Sequence, residues 1–316
     1  MRVFILGGAG YIGSHMVKLA HKAGHEIITI DNLSTGHRDA VLYGQFELCD
    51  ILDTEKLNKI FTKYKPDAVM HFSACSIVSE SVKNPFKYYH NNVTGTLSVL
   101  SAMVENNCKK LIFSSTAAIF GNPEYLPIDE KHIKNPINPY GKSKLMVEEI
   151  LKDFETAYGL KYISFRYFNA AGHDQEGNLK ERHDPETHLL PIVMQVANKK
   201  RDSVSIFGED YETKDGTCIR DYIHVNDIAN AHLKGLDYLD KSDVQSIELN
   251  LGNGEGFSVK EIIKEVENIT GKKIKVITEN RRLGDPPELI AKGDLAKNVL
   301  KLNNKFPTLK DIIKTL

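Results

Sequence analysis

Short apolar runs alternate with longer amphipathic stretches through the first half of the chain. The apolar runs predict strands buried on both faces, at residues 3–6, 26–30, 68–72, 110–114 and 162–167. Between these runs, the spacing of apolar positions predicts helices at residues 12–23, 54–63, 92–106 and 140–157. This alternation predicts an α/β fold built on a doubly wound parallel sheet, in which ligands bind at the carboxyl ends of the strands.

The pattern changes near residue 170. A polar stretch at 172–186 interrupts the alternation, and the elements that follow are shorter. A chain of 316 residues is also long for a single core. We therefore predict a cofactor-binding Rossmann domain over residues 1–168 and a smaller C-terminal α/β domain for the substrate over residues 169–316. A helix predicted near residues 227–239 could return to pack on the first domain.

The composition is that of an ordinary globular protein, with 41% hydrophobic and 26% charged residues. A formal net charge of -1 provides no field that would attract nucleic acid or an anionic membrane, so neither is expected as a partner. No run approaches the ~20 apolar residues of a membrane span, and the first apolar run is too short for a secretory leader. The cysteines are far apart, so we expect free thiols, no metal site and a cytoplasmic location.

Glycines follow the first predicted strand at the spacing G-x-x-G-x-x-G. Gly7 permits a tight turn, Gly10 lets the backbone approach a phosphate, and Gly13 lets the next helix pack close to the strand. A helix N-terminus here offers free backbone N–H groups to a pyrophosphate. Asp31 ends the second strand, where its carboxylate can accept the hydroxyls of an adenine ribose and repel a 2′-phosphate, which favours NAD over NADP. The alternative is that Asp31 is only a turn residue.

A candidate catalytic pair, Tyr140 and Lys144, lies four residues apart on one face of a predicted helix. Asn138 and Pro139 suit the start of that helix. A phenol is a weak base at neutral pH, but a nearby ammonium group and a helix N-terminus both favour the phenolate, which can take a proton from a sugar hydroxyl. Thr116 follows a predicted strand, where its hydroxyl could bond to the same reacting oxygen. The alternative is that Tyr140 only packs, because Tyr-x-x-x-Lys occurs in many helices by chance.

Together these features resemble the extended short-chain dehydrogenase/reductase superfamily, and within it the epimerases of UDP-hexoses. The resemblance extends over nearly the whole chain. It rests on GGAGYIGSH at 7–15, DNLSTG at 31–36, HF at 71–72, NN at 91–92, SST at 114–116, YGKSK at 140–144, RYFN at 166–169, IFG at 206–208, DGTCIRDYIHVNDIANAH at 215–232 and RRLGDPP at 281–287. The last two segments carry most weight, because they are typical of the nucleotide-sugar branch.

The resemblance implies a tightly bound NAD, with Tyr140 as the base and Lys144 tuning it and holding the nicotinamide ribose. The residues implied to contact NAD are Gly7, Gly10, Tyr11, Ile12, Gly13, Asp31, Asn32, Asp50, Ile51, Phe72, Asn91, Tyr140, Lys144 and Tyr167. The residues implied to contact the nucleotide sugar are Thr116, Asn169, His188, Leu189, Phe207, Arg220, Arg282 and Asp285. Two arginines suit a dianionic diphosphate, although each alone could equally be a local ion pair or a solvated surface residue.

Some positions depart from the common pattern of this branch. Ser76 stands where many relatives have a lysine near the nicotinamide, and His188 stands where many have an asparagine beside the diphosphate. Thr116 replaces a serine and keeps the hydroxyl, with a methyl group that restricts its rotamer. Leu289 falls where a tyrosine or a smaller residue is thought to limit the 2-substituent of the sugar. Leucine is intermediate in bulk, so acceptance of N-acetylated sugars stays open.

The resemblance implies reversible inversion at C4 of a UDP-hexose, interconverting UDP-galactose and UDP-glucose through a transient 4-keto sugar. The alternatives are an epimerase of UDP-N-acetylhexosamines or UDP-uronic acids, a nucleotide-sugar 4,6-dehydratase, a dehydrogenase of a sugar or steroid alcohol, and a non-enzymatic protein that senses NAD. A dehydratase needs an acid and a base after the strand-end threonine, where this chain has Ala117 and Ala118.

The resemblance also implies a homodimer formed through the predicted helices at 92–106 and 140–157. The second of these carries an apolar stripe at helical spacing, formed by Val147, Ile150, Leu151 and Phe154. Such a stripe faces the core at least as often as it faces a partner, so the pattern by itself leaves both arrangements open.

Overall fold

The computed structural model of the protein describes residues 1–316. The strands are β1 (Arg2–Leu6), β2 (Glu26–Asp31), β3 (Gln45–Leu48), β4 (Ala68–His71), β5 (Lys110–Thr116), β6 (Lys161–Tyr167), β7 (Asn169–Ala171), β8 (Val204–Phe207), β9 (Ile219–His224), β10 (Ile247–Leu251), β11 (Gly256–Ser258), β12 (Val276–Glu279) and β13 (Glu288–Leu289). The helices are α1 (Tyr11–Lys22), α2 (Thr54–Tyr64), α3 (Val78–Lys83), α4 (Pro85–Tyr89), α5 (Gly95–Glu105), α6 (Pro139–Tyr158), α7 (Leu189–Ala197), α8 (Val225–Leu239), α9 (Val259–Thr270), α10 (Asp294–Leu300) and α11 (Leu309–Ile313).

A seven-stranded parallel sheet forms the centre of the molecule, in the order β10-β6-β5-β4-β1-β2-β3. The predicted doubly wound α/β fold is therefore confirmed. The apolar pattern does not reveal β3, because all four of its residues are exposed or half-buried at the sheet edge and alternate too weakly to stand out.

Both faces of this sheet are covered by helices. Along β1, Val3 and Ile5 point into a core shared with α1 and α8, whereas Phe4 and Leu6 point into a core shared with α2, α5 and α6. This alternation is the two-residue period of a strand, and burial on both faces explains why β1 is continuously apolar. Each fully buried aliphatic side chain contributes about 1.5–3 kcal/mol, so the two cores hold the sheet edges that line the site.

A smaller α/β unit follows, as predicted. Its central strand β9 pairs with β11 in antiparallel fashion and with β7 and β13 in parallel fashion, and β8 pairs separately with β12. Helices α7, α9 and α11 pack around a third core that includes Val193, Ile262 and Ile312.

Elements from the second half of the chain also pack on the first half. Helix α8 lies along α1, and β10 completes the large sheet beside β6. The polar segment between β7 and α7 is held to the first half by ion pairs, between Lys18 and Asp174 at 2.6 Å and between Arg182 and Asp39 at 2.8 Å. These contacts hold the second half of the chain against the first.

A fully buried ion pair fixes helix α6 against the large sheet. Arg166 on β6 donates to both carboxylate oxygens of Glu148 on α6, at 3.0 and 2.8 Å. The same carboxylate accepts a hydrogen bond from the Ser115 hydroxyl of β5, at 2.6 Å. Because three elements share one desolvated charge pair, the position of α6 relative to the strand ends is closely defined.

Candidate active site

The glycine turn after β1 brings the start of α1 against the sheet. Gly7 has φ of +76°, and a Cβ at this position would lie 2.6 Å from the backbone nitrogen of Ser73. A Cβ at Gly13 would lie 2.2 Å from the carbonyl oxygen of Gly7. Gly10 is the N-cap of α1 and provides no side-chain cap, so the first N–H groups of the helix are free to bind an anion.

The carboxylate of Asp31 lies beside this turn. One of its oxygens accepts from the Ala9 N–H at 3.0 Å and the other from the Leu33 N–H at 2.8 Å. Burial raises the pKa of Asp31, and these two backbone donors oppose that shift. Asn32 donates to Asp50 at 2.8 Å, so the residues predicted for the adenosine end form one connected edge.

The remaining residues predicted for NAD come from the start of α1, the loop before α2 and the segment before α5. Ile51 is buried beside Gly95 at the start of α5, and Asn91 is half-buried just before that helix. The Tyr11 hydroxyl donates to the carbonyl oxygen of Gly172 at 2.6 Å, and the next residue, Ile12, packs against the first core. These residues therefore belong to the segments that follow β1, β3 and β4 in the chain.

His232, a residue outside the predicted set, contacts both Tyr167 and Phe72. The Tyr167 hydroxyl lies 2.5 Å from Nε2 of His232 on α8, and the ring of Phe72 lies 4.8 Å from the same imidazole. Burial lowers the pKa of His232 to about 4, so the imidazole is neutral at neutral pH. The segment 215–232 contains this histidine, but its partner lies 65 residues away in the chain.

Helix α6 places the predicted catalytic pair at the end of β5. Asn138 caps the helix by accepting from the Gly141 N–H at 2.8 Å, and a Cβ at Gly141 would lie 2.4 Å from the carbonyl oxygen of Ala118. This close approach brings Tyr140 to Thr116. Burial raises the pKa of Tyr140, and a hydrogen bond with Thr116 opposes that shift.

Lys144 is buried one turn further along the helix. Its ammonium group donates to the carbonyl oxygen of Ser114 at 2.7 Å and lies 4.7 Å from the ring centre of Phe113. Burial lowers its pKa to about 7. Lys144 is therefore poised between its charged and neutral forms near neutral pH, and its cationic form favours ionisation of the neighbouring phenol.

A second residue outside the predicted set holds this helix. The side chain of Asn92 donates to the Ser143 hydroxyl at 3.0 Å and exchanges hydrogen bonds with the backbone of Cys75. Ser143 in turn donates to the carbonyl oxygen of Tyr140 at 2.7 Å. Asn92 therefore joins the loop after β4 to helix α6, and only the pair of asparagines at 91–92 marks it in the sequence.

Apart from Thr116 on β5, the residues predicted for the nucleotide sugar lie on the smaller unit. Arg220 projects from β9, with Nη2 3.9 Å from Asp285, and the guanidinium of Arg282 lies 3.7 Å from the ring centre of Phe207. Asn169 lies at the start of β7, where its side chain bonds to the neighbouring Tyr222 and lowers the pKa that burial raises. The loop at 281–287 reaches the catalytic helix, because Asn138 donates to the carbonyl oxygen of Gly284 at 3.4 Å.

His188 and Leu189 stand at the N-terminus of α7. His188 is exposed, and its Nδ1 lies 2.8 Å from a carboxylate oxygen of Glu186. Burial of its ring nitrogen opposes protonation, but the bond to Glu186 and the charges of Glu181 and Glu186 outweigh it and raise its pKa. Glu181, His183 and His188 form the only group in the structure with donor atoms suited to a metal ion, and it lies apart from Tyr140 and Thr116 in the chain.

Ser76, which stands where many relatives have a lysine, is exposed in the loop before α3. It takes part in no ion pair. Leu289 is buried on β13, opposite Arg220 on β9. It packs with Ala117 and Phe168, at the ends of β5 and β6.

A dinucleotide fits the glycine turn, the uncapped start of α1 and the carboxylate of Asp31. The pair of Tyr140 and Lys144 lies near the end of β5. The class this defines is the dinucleotide-dependent enzymes of the short-chain dehydrogenase/reductase type. The chain belongs to the NAD dependent epimerase/dehydratase family, whose model matches residues 3–252. No helix in the structure combines the length and apolar character needed to cross a bilayer.

Relatives of known activity cover nearly the whole chain. It is 48% identical over 314 residues to UDP-glucose 4-epimerase of Halalkalibacterium halodurans, covering 99% of this chain and 94% of that protein. The crystal structure of UDP-glucose 4-epimerase from Brucella ovis in complex with NAD superposes with a TM-score of 0.95 at 47% identity, covering 99% of this chain and 96% of that one. The enzyme from Bifidobacterium longum in complex with NAD+ and UDP also gives 0.95, at 34% identity and with 100% and 96% covered.

Proposed function

We propose that this chain is an NAD-dependent enzyme that reversibly inverts C4 of a UDP-hexose, interconverting UDP-galactose and UDP-glucose. The observation that carries this proposal is the placement of Tyr140 beside Thr116, with Lys144 beneath, at the strand edge that also holds the glycine turn. The relatives that match the chain over nearly its full length are UDP-glucose 4-epimerases, which supports the same conclusion.

Tyr140 acts on the proton of the sugar O4 hydroxyl. NAD would supply, when bound, a reversible acceptor for the hydride at C4. Burial raises the pKa of Tyr140, and the hydrogen bond with Thr116 offsets that rise only in part, so the positive charge of Lys144 has to favour the phenolate as the proton leaves. The Thr116 hydroxyl then orients the reacting oxygen as the proton moves.

Arg220 and Arg282 hold the nucleotide end. Their guanidinium groups suit charge-assisted hydrogen bonds to a diphosphate. Asp285 lies 3.9 Å from Arg220, where its carboxylate can accept a hydrogen bond from a hydroxyl group of the substrate. Inversion requires the oxidised sugar to present the other face of C4 to the hydride donor, while Tyr140 returns the proton to O4. Firm binding is therefore needed at the UDP and loose binding at the sugar, because equal affinity for both orientations avoids trapping either one.

The first experiment follows UDP-galactose by proton NMR with the purified protein and no added NAD. We expect UDP-glucose to accumulate until an equilibrium mixture is reached, because the cofactor is retained. Tyr140→Phe keeps the ring and removes the hydroxyl, and we expect it to slow conversion by about 10²–10⁴-fold while bound NAD is unchanged. No UDP-glucose from protein shown to contain NAD would overturn the assignment of the substrate.

The sugar specificity is the part of this proposal that depends on Leu289. Its buried side chain beside Ala117 and opposite Arg220 leaves less room than a small residue and more than a tyrosine. We therefore propose UDP-galactose and UDP-glucose as the main pair and expect slower conversion of UDP-N-acetylgalactosamine. Leu289→Ala should raise the N-acetylated rate relative to the UDP-galactose rate, whereas equal changes in both rates would remove Leu289 from the account of specificity.

We propose further that two copies of the chain associate through the outer faces of α4, α5 and α6. The stripe of Val147 and Leu151 is buried in the core and is unavailable for this contact. Phe86, Leu97 and Met146 instead expose 75%, 40% and 47% of their surface on these neighbouring helices.

We propose that a second copy of the chain covers this face, because the exposed apolar side chains come from helices that pack against one another. Met146→Asp combined with Phe86→Asp should convert a dimer into a monomer in sedimentation experiments. Ile277→Asp, at a 46% exposed position on β12, serves as the matched control. A monomeric native protein at micromolar concentration would contradict the dimer.

The cysteines agree with a reducing compartment, and we propose that the enzyme acts in the cytoplasm. All four are free thiols. Burial raises the pKa of Cys49 to about 11 and that of Cys108 to about 12, so both remain neutral thiols at physiological pH. Fractionation of the native cells with an antibody to the chain tests this location directly.

A further inference from the structure

The turn that leads into α7 brings together two imidazoles and one carboxylate. Glu181, His183 and His188 each offer a ligand atom, and these atoms all lie within 4.8 Å of one another. Nδ1 of His183 is hydrogen-bonded to Oε1 of Glu181, and Nδ1 of His188 lies 3.7 Å from Oε2 of the same carboxylate. The two imidazoles thus approach different oxygens of a single carboxylate, with ring centres 5.2 Å apart.

One atom of this cluster is buried without a partner. The side chain of Glu181 is only 2% exposed, and its Oε2 accepts no hydrogen bond. An unpartnered buried carboxylate oxygen costs free energy comparable to a lost charged hydrogen bond. A cation bound at this oxygen would offset that cost.

The donor set indicates which kind of cation fits. Two imidazole nitrogens and one carboxylate oxygen are ligands that Zn²⁺ and its neighbours bind well, usually with one further position open to water. Mg²⁺ and Ca²⁺ take oxygen ligands almost entirely, and this cluster supplies only one such residue. The chemistry therefore favours a transition metal over an alkaline-earth ion.

We propose that Glu181, His183 and His188 bind one divalent ion of the zinc class. The metal replaces the proton between His183 and Glu181 and the proton between Nδ1 of His188 and Glu186, and both protons leave to solvent, since each imidazole must present a free lone pair to a metal. All three ligands come from the short segment 181–188, so the ion closes a loop within the chain and holds it at the N-terminus of α7. The negative charge of Glu181 helps to raise the pKa of Tyr11, so this loop lies near the start of α1.

The metal is thereby assigned a structural role in the wall of the cleft. It acts on the loop and takes no part in the proton transfer at Tyr140. Binding does not depend on the identity of the sugar substrate, so the metal proposal and the proposed epimerisation can fail independently.

The test uses the full-length protein with its cofactor, treated with a chelator and then dialysed. Co²⁺ is added in steps while the visible absorption is recorded, and Zn²⁺ binding is measured by calorimetry. We expect one equivalent of each metal and the intense visible band of a low-coordinate cobalt site. Mg²⁺ at the same concentrations should neither compete with Co²⁺ nor raise the melting temperature.

Two conservative variants test the ligands separately. Glu181→Gln keeps the size of the side chain, and His183→Asn keeps a polar group of the same reach. Each should weaken Zn²⁺ binding by more than about tenfold and abolish the cobalt band. His21→Asn, at an exposed histidine on α1, is the matched control and should bind as the native protein does.

Circular dichroism and bound NAD establish that each variant is folded. Loss of metal in folded Glu181→Gln and His183→Asn protein, with retention in His21→Asn, supports the site. Failure of the native protein to bind one equivalent, or equal binding by all variants, overturns it. Equal stabilisation by Mg²⁺ and Zn²⁺ also overturns it, because the imidazoles would then play no part.

Discussion

At the scale of single residues, burial and charge oppose one another at the catalytic pair. The sequence predicts that Lys144 and the helix N-terminus favour the phenolate of Tyr140. In the fold, desolvation is the larger influence on both groups, raising the pKa of Tyr140 and lowering that of Lys144 to about 7. The hydroxyl of Thr116 is the neighbour that lowers the phenol pKa, so this threonine matters more than its role as a strand end suggests.

Replacing Thr116 tests that role. Thr116→Val keeps the shape and removes the hydroxyl, and we expect kcat to fall by about 10²–10³-fold, as for loss of one transition-state hydrogen bond. Thr116→Ser keeps the hydroxyl and should remain within about tenfold of the native rate. The KM for UDP-galactose should change little in both, and the coupled formation of UDP-glucose measures both constants. Equal rates for the valine and serine variants would contradict the role of the hydroxyl.

The sequence predicts those residues whose identity follows from local backbone geometry or from position along the chain. Gly7 and Gly13 follow from the turn that a strand and a helix require, and Asp31 follows from its distance along the chain. His232 and Asn92 act through partners that only the folded chain brings near, at Tyr167 and Ser143. Spacing within one helix cannot reveal such pairs, because side chains 65 and 51 residues apart share no local pattern.

At the scale of elements, strong periodicity was sufficient and weak periodicity was not. Helix α6 and the buried strands β1 and β5 follow from apolar patterns that their packing on two cores explains. Strand β3 is polar and half-exposed, so its sequence resembles a loop. The buried pair of Arg166 and Glu148 is equally invisible, because charged residues are predicted at the surface and only the partner makes their burial tolerable.

The start of α1 gives a sharp test at this scale. Gly13→Ala places a methyl group 2.2 Å from the Gly7 carbonyl, which forces the helix away from the turn. We expect a loss of about 1–3 kcal/mol in the free energy of unfolding and release of NAD during purification. Urea denaturation and the absorbance of released cofactor measure the two effects.

Gly24→Ala is the matched control at the other end of the same helix. Its φ is +84°, yet no atom lies within 4 Å of the added carbon. This variant should lose about 1 kcal/mol from backbone strain and keep its cofactor. NAD retention by Gly13→Ala at the native level would show that the turn tolerates a side chain.

At the scale of the whole molecule, buried neutral histidines link stability to pH. Burial lowers the pKa of His15 and His232 to about 4, and that of His71 and His224 to about 3. The unfolded chain takes up these protons near pH 6.5 and the native state does not. The contribution of these histidines to stability is therefore full above pH 6.5 and is lost as the pH drops toward 4. Asp221, with its pKa raised to about 6, has the opposite effect between pH 6 and 4.

We expect the free energy of unfolding to fall on acidification from pH 7 to pH 4.5, with each such histidine contributing up to about 1.4 kcal/mol per pH unit. Urea denaturation at a series of pH values measures the slope. His232→Gln can still bond to Tyr167 and does not titrate, so it should flatten the slope by about one proton. His21→Gln, on the surface, should leave it unchanged, and the same slope in both variants would contradict the assignment.

Strand β10 has a consequence for how the molecule is made. Residues 247–251 form the outermost strand beside β6, and Leu249 and Leu251 enter the same core as Ile163 and Phe165. While the ribosome is synthesising the chain, the first half emerges with the hydrogen-bonding edge of β6 exposed and this core uncovered. Such an edge invites association with other chains. The nascent protein is therefore most in need of chaperones until residue 251 has left the exit tunnel, and a gene cut at residue 168 would encode a fragment that stays in that vulnerable state.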